Sequence, residues 1–325
     1  QTTNPAQSPV AWSTISTGAS PGEHGLFDFI WRHEENYLPD LSLARLAPPE
    51  KTLNLFGHTI PLSKPRYVSH RGGTPVWQLT SRAGISTVVI KWPVTFPPDP
   101  VAGKMMSGMG VPDLRGGQGT FTFYTSEKVD ETRPQGGTVI PIAESDRIAT
   151  QLIGPRGPNG KDVTIPLEIT RDSGSRSVEL KASGKTFRLN EREWSPWIRV
   201  KFPIDVLTQV KAMCRFYLRS AREPFGLYCS PMNFDPEHPV FPISYPRDYA
   251  RRLKEAIGDF HTLGMPHDTW ALNEGRMDED MFLSQTKAIV AEERAMMLHE
   301  LNRFQSAHLM VVFESVDRLQ HKLRR

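Results

Sequence analysis

The stretch T-P-V-W-Q-L-T-S-R-A-G-I-S-T-V-V-I-K-W, residues 74–92, decides the class of fold. Its first half predicts a short helix, because Pro75 suits a first helical turn and Gly84 follows the last one. Its second half, from Ile85 to Trp92, is rich in β-branched residues, which is typical of a strand buried in an α/β sheet. Helix, glycine and strand are half of a βαβ unit. The prolines that follow end the strand, and ligands of open α/β sheets bind at such ends.

A second short helix is predicted upstream, where residues 7–18 read Q-S-P-V-A-W-S-T-I-S-T-G. A serine before a proline is typical of a helix start. We therefore expect Ser8 at the N-cap, the helix from Pro9 to about Thr17, and Gly18 as its stop. The positive end of this helix suits an anion such as phosphate, which makes Ser8 a candidate nucleophile. Taken alone, these residues favour the simpler interpretation that Ser8 only caps the helix.

The last part of the chain predicts a long helix and then another strand. Three acidic residues in four start the helix near Asp278. Apolar residues recur every seven positions along it and predict its core face, formed by Leu283, Val290, Met297 and Phe304. The following run H-L-M-V-V-F-E-S, residues 308–315, predicts a buried strand.

A candidate metal-binding pair follows this strand in V-D-R-L-Q-H, residues 316–321. If the chain is helical there, Asp317 and His321 stand at i and i+4 on one face and can bind one ion. A carboxylate and an imidazole suit zinc, with manganese or iron as alternatives. Most helical pairs of this kind simply face solvent, but the end of a core strand is where α/β sites are built.

A glycine-rich stretch, residues 103–119, is a candidate phosphate loop. Its backbone amides could cradle a phosphate, with Lys104 and Arg115 as weaker candidates for substrate binding through their charge. The spacing of a P-loop is absent, and a flexible connector is the simpler interpretation.

The middle of the chain has a different character. From Thr120 to about Arg219, short strand candidates alternate with turns and predict a β-rich insertion or cap. Residues 224–246 are rich in proline and aromatic residues and predict a long irregular segment. We therefore divide the chain into a first part of an α/β core at residues 1–119, the insertion at residues 120–219, and a return to the core at residues 220–325.

Composition excludes several classes of protein. With 38% hydrophobic and 23% charged residues over 325 positions, the chain is typical of a globular protein. Its net charge of +3 arises from 39 basic and 36 acidic residues, so nucleic-acid binding is not expected. Two cysteines exclude a disulfide scaffold, and no apolar run predicts a membrane span. Because the sequence starts at Gln1 without a visible leader, a cytoplasmic and a periplasmic or secreted location both stay open, as does the oligomeric state.

Four segments of the chain resemble the alkaline phosphatase superfamily, and within it the branch of type I phosphodiesterases, nucleotide pyrophosphatases and predicted phosphohydrolases or phosphomutases. They are residues 7–29, 84–98, 107–116 and 313–321. The resemblance implies a central, mostly parallel sheet flanked by helices, with the β-rich segment inserted. It also implies that Ser8, ten residues before Gly18, is a metal-coordinated nucleophile. By the same resemblance, Asp317 and His321 are two ligands of one zinc ion.

The implied activity is metal-dependent hydrolysis of a phosphoester through a phosphoseryl intermediate, with two divalent ions in the family, most often zinc. The expected substrate is a phosphorylated small molecule or a phosphodiester. His24 matches a P-x-x-H-G turn that is structural in the family, whereas Phe29 stands where nucleotide pyrophosphatases hold phosphate with an asparagine.

The resemblance is incomplete at both ends. Family members also have a strand-ending Asp before the serine helix, and an Asp-His-Gly segment with a further His beyond the D-x-x-x-H motif. We expect these in a longer parent chain. The alternative is a non-catalytic protein that keeps the fold and binds a phosphorylated ligand or a glycan.

Overall fold

The computed structural model describes residues 2–33, 35–47, 50, 52–55, 58–61, 65–128, 136–157, 160–171, 174–205, 208–305 and 307–323. The chain forms two compact units. The first contains Gln1–Val111, Phe241–Gly258 and Ala295–Phe313, and the second contains Pro112–Val240, Asp259–Arg294 and Glu314–Arg325. Among the helices of the described ranges, none is both long and apolar enough to cross a membrane.

The helices lie toward the two ends of the chain, and strands dominate its middle. The helices are α1 (Ser8–Thr17), α2 (Pro21–His24), α3 (Val76–Arg82), α4 (Tyr249–Ile257), α5 (Thr269–Asn273), α6 (Glu279–Leu301) and α7 (Ser315–Leu323). The strands are β1 (Ile30–Arg32), β2 (Pro39–Leu41), β3 (Ala44–Ala47), β4 (Thr52–Leu55), β5 (His58–Pro61), β6 (Arg66–Ser69), β7 (Thr87–Trp92), β8 (Gly103–Ser107), β9 (Thr122–Thr125), β10 (Thr138–Pro141), β11 (Arg147–Arg156), β12 (Asp162–Arg171), β13 (Ser177–Ala182), β14 (Lys185–Asn190), β15 (Ile198–Pro203), β16 (Gln209–Cys214), β17 (Phe216–Ser220), β18 (Gly226–Cys229), β19 (Asn233–Phe234), β20 (Ser244–Tyr245) and β21 (His308–Val311).

The first unit is built on a four-stranded sheet in the order β20-β8-β7-β21. β7 is parallel to both β8 and β21, and β20 runs antiparallel to β8. The β-branched run forms β7, where Val88, Val89 and Ile90 are almost completely buried. Burial of each such side chain stabilises the fold by about 1.5–3 kcal/mol. Helix α3 lies against this sheet through Trp77, which packs with Val89. The mixed sheet with helices confirms the α/β class.

Strand β21 is less buried than its sequence predicts. It is the last strand in the sheet order found for the described residues, His308 is exposed, and the other three residues are half-buried. An apolar run also occurs in an edge strand, since only one of its faces must be covered. The helix that precedes it and the helix that follows it are both present as predicted.

The predicted core face of α6 is wrong. Val290 and Phe304 are 36% and 39% exposed, and the helix ends before Phe304. The buried side chains follow a neighbouring stripe that includes carboxylates and an amide; they are Met281, Phe282, Gln285, Thr286, Ile289, Glu293, Met296 and Glu300. The heptad pattern failed because both stripes contain apolar residues. The buried stripe also contains Glu300, whose carboxylate is stabilised by partners far away in the sequence. A sequence pattern does not reveal such partners.

The second unit is rich in strands. It contains an antiparallel four-stranded sheet in the order β11-β12-β13-β14, a second sheet in the order β10-β9-β18-β17, and a third in the order β15-β16-β19. The strands β18, β19 and β20 lie within residues 224–246, so this segment is more regular than predicted. Aromatic residues of β9, β17 and β18 pack against α5 and the start of α6 in one cluster: Phe121, Phe123, Tyr217, Tyr228, Ala271, Met277, Met281 and Phe282.

Candidate functional site

Helix α1 begins one residue earlier than the sequence predicts. Gln7, with φ −116° and ψ 143°, is the N-cap, and its side chain makes no capping hydrogen bond. Ser8 is therefore the first helical residue rather than the cap, because the N-cap is the residue with extended backbone angles. The predicted stop is confirmed: Gly18 has φ 68° and its N–H donates to the Thr14 carbonyl at 2.8 Å. The half-buried Ser8 thus lies in the first turn, which contains no acidic residue.

Packing against the core sheet fixes the position of α1. Val10 is completely buried, and the Trp12 ring meets the Trp92 ring edge-on with their centroids 5.0 Å apart. Trp92 is the last residue of β7, so α1 lies at the carboxyl end of a core strand. That is the end at which open α/β sheets bind ligands.

His24 is a structural residue of this region. Its Nε2 lies 2.9 Å from the Thr14 hydroxyl, and its Nδ1 accepts from the Leu26 N–H at 3.2 Å. The side chain is almost fully buried. Burial and, to a smaller extent, the positive charge of Arg71 lower the pKa of His24, because both disfavour the imidazolium. The neutral ring therefore joins α1 to the turn that carries α2.

Asp317 and His321 meet on one face of α7. His321 Nε2 lies 3.3 Å from Asp317 Oδ1, and the two side chains are 71% and 50% exposed, respectively. The sequence therefore predicted this helix and this pairing correctly. One oxygen and one nitrogen from an open helix face fit two positions of a zinc or manganese site. Ser8 belongs to the first unit, whereas the α7 pair belongs to the second.

Among the described residues, no third ligating side chain joins Asp317 and His321 on α7. Within the described residues, a group of three ligating side chains occurs elsewhere in the second unit, at Asp235, Glu237 and His238, whose ligand atoms lie within 4.8 Å of one another. Sequence analysis missed this group, although D-x-E-H spacing is a signal that could have found it. Arg199 Nε lies 4.0 Å from Asp235 Oδ2, and Arg318 Nη1 lies 3.9 Å from Asp317 Oδ2, so each group has a positive charge nearby that opposes a cation. A catalytic zinc usually has three protein ligands, and the pair on α7 offers two ligating side chains.

Lys104 is part of a polar contact within the first unit. Its Nζ donates to Glu300 Oε2 at 2.8 Å, and the Tyr249 hydroxyl donates to Glu300 Oε1 at 3.1 Å. Lys104 Nζ also lies 5.6 Å from the centre of the Tyr249 ring. Burial and the Glu300 charge raise the pKa of Tyr249. The lysine suggested for substrate binding thus neutralises a buried carboxylate and links β8 to α4 and α6.

The glycine-rich stretch is a strand followed by a tight loop. Its first residues form β8, and the remainder folds around the buried Asp113 carboxylate. That carboxylate accepts hydrogen bonds from four backbone N–H groups, those of Arg115, Gly117, Gly119 and Thr120, at 2.7–3.3 Å. The Arg115 guanidinium donates to Thr138 and to Asp162 at 3.0 and 3.1 Å. Amides suggested as a phosphate cradle are therefore occupied by Asp113.

His267 and Ser315 form a buried polar pair that was not predicted from the sequence. Ser315 lies two residues before Asp317. His267 Nε2 lies 2.9 Å from Ser315 Oγ at the start of α7, and both side chains are almost fully buried. Burial, with a contribution from the Arg318 charge, lowers the pKa of His267 to about 3. The next residue, Asp268, accepts from the Tyr228 hydroxyl, and burial raises its pKa to about 6. His267 and Ser315 are 48 positions apart in the sequence, so no local pattern reveals their contact.

These contacts define an α/β protein with a serine in the first turn of a helix at the end of a core strand. Residues 1–144 match the family model described as type I phosphodiesterase / nucleotide pyrophosphatase, a family of the alkaline phosphatase superfamily. The match confirms the resemblance for the part of the chain that contains Ser8. It covers less than half of the chain and does not include α7. Comparison with curated proteins and with solved structures gave no match.

Proposed function

We propose that this protein is a metal-dependent phosphoester hydrolase in which Ser8 is the nucleophile. The observation that carries the proposal is the family match over residues 1–144, because it includes α1 and the position of Ser8 in its first turn. A phosphodiesterase or pyrophosphatase type of phosphoester hydrolase is what this match indicates. We extend the proposal to the fold, taking the sheet β20-β8-β7-β21 as part of an alkaline-phosphatase-like core.

The surroundings of Ser8 support this role. The N-terminal end of a helix, through its N–H groups and dipole, favours a phosphoryl group beside Ser8. The absence of an acidic residue from that turn keeps its positive potential. Packing of Trp12 on Trp92 and the His24 contact hold the helix in place, and such rigidity is what a nucleophile needs.

The proposed reaction has two displacements at phosphorus. Ser8 Oγ gives up its proton to solvent and bonds to phosphorus, while the bond from phosphorus to the ester oxygen breaks and that oxygen takes up a proton from solvent; this leaves a phosphorylated serine. A water then gives up a proton as its oxygen bonds to phosphorus, and the bond to Ser8 Oγ breaks with return of a proton to Ser8. Asp317 and His321 would hold one divalent ion, zinc or manganese, whose charge would favour the developing oxyanions. The substrate we propose is a phosphorylated small molecule or a phosphodiester.

The experiment is to replace Ser8 by Ala in the full-length protein and to measure hydrolysis of an aryl phosphoester at neutral to alkaline pH with added zinc or manganese. We expect a loss of at least ~10³-fold in kcat, since removal of a nucleophile leaves only the remaining transition-state contacts. Ser13→Ala is the matched control on the same helix. The buried Ser13 hydroxyl has no hydrogen-bond partner among the described residues, so its loss breaks no bond. Undiminished turnover by Ser8→Ala would exclude Ser8 as the nucleophile.

A second candidate function is binding of a phosphorylated ligand or a glycan without catalysis. The observation in its favour is that the exposed pair on α7 has only two ligating side chains, with no third within the described residues. The same assay separates the two functions, because a binding protein shows no metal-dependent turnover above that of its Ser8→Ala variant.

A further inference from the structure

A small pocket lies in the second unit, next to the buried His267–Ser315 pair. Its volume is about 80 Å³, which is several times the ~10–15 Å³ that a single water requires. The end of the glycine-rich loop forms one wall, the segment before and within α5 forms another, and α7 contributes one residue. The lining residues are Gln118, Gly119, Pro231, Met265, Pro266, His267, Asp268, Thr269, Trp270 and Arg318.

Two polar side chains of this lining, His267 and Gln118, have hydrogen-bonding capacity that no described residue uses. His267 is 4% exposed, and its Nδ1 has no partner among the described residues. When the Ser315 hydroxyl donates to Nε2, the neutral ring carries its proton on Nδ1 and offers it as a donor. The buried amide oxygen of Gln118 also lacks a partner within the described ranges. An amide can be turned so that its NH₂ group, rather than its oxygen, meets a ligand.

Arg318 brings one permanently charged guanidinium to the lining, with the carboxylates of Glu314 and Asp317 nearby. Its side chain is 19% exposed and lies 3.8 Å from Glu314 and 3.9 Å from Asp317. These distances exceed the ~2.7–2.9 Å of charge-assisted hydrogen bonds, so N–H donors of the guanidinium stay available for a ligand. The same charge, after burial, helps to lower the pKa of His267.

The carboxylate in the pocket wall is committed elsewhere. Asp268 Oδ2 accepts from the Tyr228 hydroxyl at 2.5 Å, and Oδ1 accepts from the Ala271 N–H at 2.9 Å. Both oxygens are therefore satisfied inside the second unit. No oxygen of Asp268 is thus left to bind a cation. The N–H donors of Arg318 and His267, with a turned Gln118 amide in the same lining, suit an oxyanion instead.

We propose that this pocket binds one phosphoryl group, as free phosphate or as the phosphate of a monoester, through Arg318, His267 and Gln118. The choice of phosphate among small oxyanions rests on the proposed function. The binding itself requires neither Ser8 nor a metal ion. The glycine-rich stretch would then contribute to phosphate binding through the Gln118 side chain rather than through its backbone amides. Asp113 accepts hydrogen bonds from the loop, and the folded loop places Gln118 and Gly119 in the pocket wall.

The test is isothermal titration calorimetry of the full-length protein with inorganic phosphate, and separately with phenyl phosphate, in buffer containing EDTA. We expect saturable binding of phosphate that weakens at least ~10-fold in Arg318→Met, since a hydrogen bond to a charged group is lost. Gln118→Ala should weaken it about 3-fold. Arg192→Met is the matched control, because it removes an arginine of the same unit that pairs with Asp280 in an exposed position. Binding of phosphate but not of phenyl phosphate identifies the free ion as the ligand.

A spectroscopic readout keeps the proposal testable if Arg318→Met fails to fold. In ¹⁵N-labelled wild-type protein, phosphate should shift the ring nitrogens of one histidine, and the same signal should be missing from His267→Gln. Absence of saturable binding by the wild type, or unchanged binding by a folded Arg318→Met, would overturn the proposal. Turnover without phosphate binding in EDTA would contradict this inference alone. Phosphate binding without metal-dependent turnover would contradict the proposed hydrolase alone.

Discussion

Helix α1 carries Ser8 on a body whose Val10, Ser13 and Ser16 are buried, whereas helix α7 carries Asp317 and His321 with at least half of each side chain exposed. In the first region, local signals and core packing agree: a proline starts the helix, a left-handed glycine ends it, and Trp12 packs on the end of β7. In the second region, Asp317 and His321 contact each other across one turn of an exposed helix face, and Arg318 Nη1 lies 3.9 Å from Asp317 Oδ2.

The difference lies in what fixes each motif. Ser8 is positioned by contacts that its own helix makes with the core. The position of the α7 pair depends on the start of its helix, where Ser315 contacts the buried His267. If this account is right, substitutions of buried histidines should be costly in both regions, and substitutions in the exposed pair should be almost neutral until a metal ion is added.

The largest effect on stability is expected for His24→Ala. The change leaves the Thr14 hydroxyl and the Leu26 N–H without their partner and opens a cavity beside α1. We expect the free energy of unfolding to fall by about 2–4 kcal/mol, as measured by urea denaturation.

His33→Ala is the control in the same unit. His33 pairs with Asp40 at 3.3 Å, with both side chains about a third or more exposed, and an exposed pair contributes ~0–1 kcal/mol. Equal losses for the two variants would mean that the contacts of His24 do not hold α1 in place.

The sequence predicted the elements whose signals are local. The strand β7 follows from one β-branched run, and the end of α1 follows from Gly18, since only glycine adopts its backbone angles at no cost. The pairing on α7 follows from the spacing of Asp317 and His321 alone.

Long-range contacts account for the failures. The buried face of α6 was assigned to the wrong stripe because Glu300 is buried with Lys104 and Tyr249, residues far from it in sequence. His267 and Ser315 could not be linked for the same reason. The family resemblance suggested a role for Ser8. The pocket beside His267 could not be predicted, because it depends on how the loop around Asp113 folds against distant residues.

A smaller effect, specific to pH, is expected at His267. The pKa of His267 is about 3 in the folded protein and near 6.5 in the unfolded chain. Between pH 3 and pH 6.5, the unfolded chain therefore binds a proton at this residue that the folded protein does not. Stability from this group is full above pH 6.5 and is lost as pH falls toward 3. Between pH 7 and pH 5, wild type should lose about 2 kcal/mol relative to His267→Gln, measured by denaturant unfolding at each pH.

Comparison with the variant is needed because Asp268 acts in the opposite direction. Its pKa is raised to about 6, so its protonation favours the folded state as pH falls below that value. The carboxyl group is present in both proteins and cancels in the difference. A gap between wild type and His267→Gln that stays constant with pH would show that His267 is not held neutral.

The smallest effect is expected for the exposed pair on α7. Without metal, Asp317→Asn and His321→Asn should each change the free energy of unfolding by less than about 1 kcal/mol, because exposed ion pairs contribute little. With zinc or manganese added, the Tm of wild type should rise with metal concentration, since an ion that binds only the folded state stabilises it by mass action. Both variants should lose this rise, because each removes one of the two ligands.

His238→Asn provides the control that assigns the ion to one place. His238 belongs to the other group of ligating side chains, with Asp235 and Glu237, and is similarly exposed. If α7 holds the ion, His238→Asn keeps the metal-dependent rise in Tm. Loss of the rise in His238→Asn, with the rise preserved in His321→Asn, would move the metal site to the Asp235 group. In that case the Asp317–His321 pair would have no role in metal binding. Ser8 alone, of the residues suggested by the family resemblance, would remain a candidate for phosphoester hydrolysis.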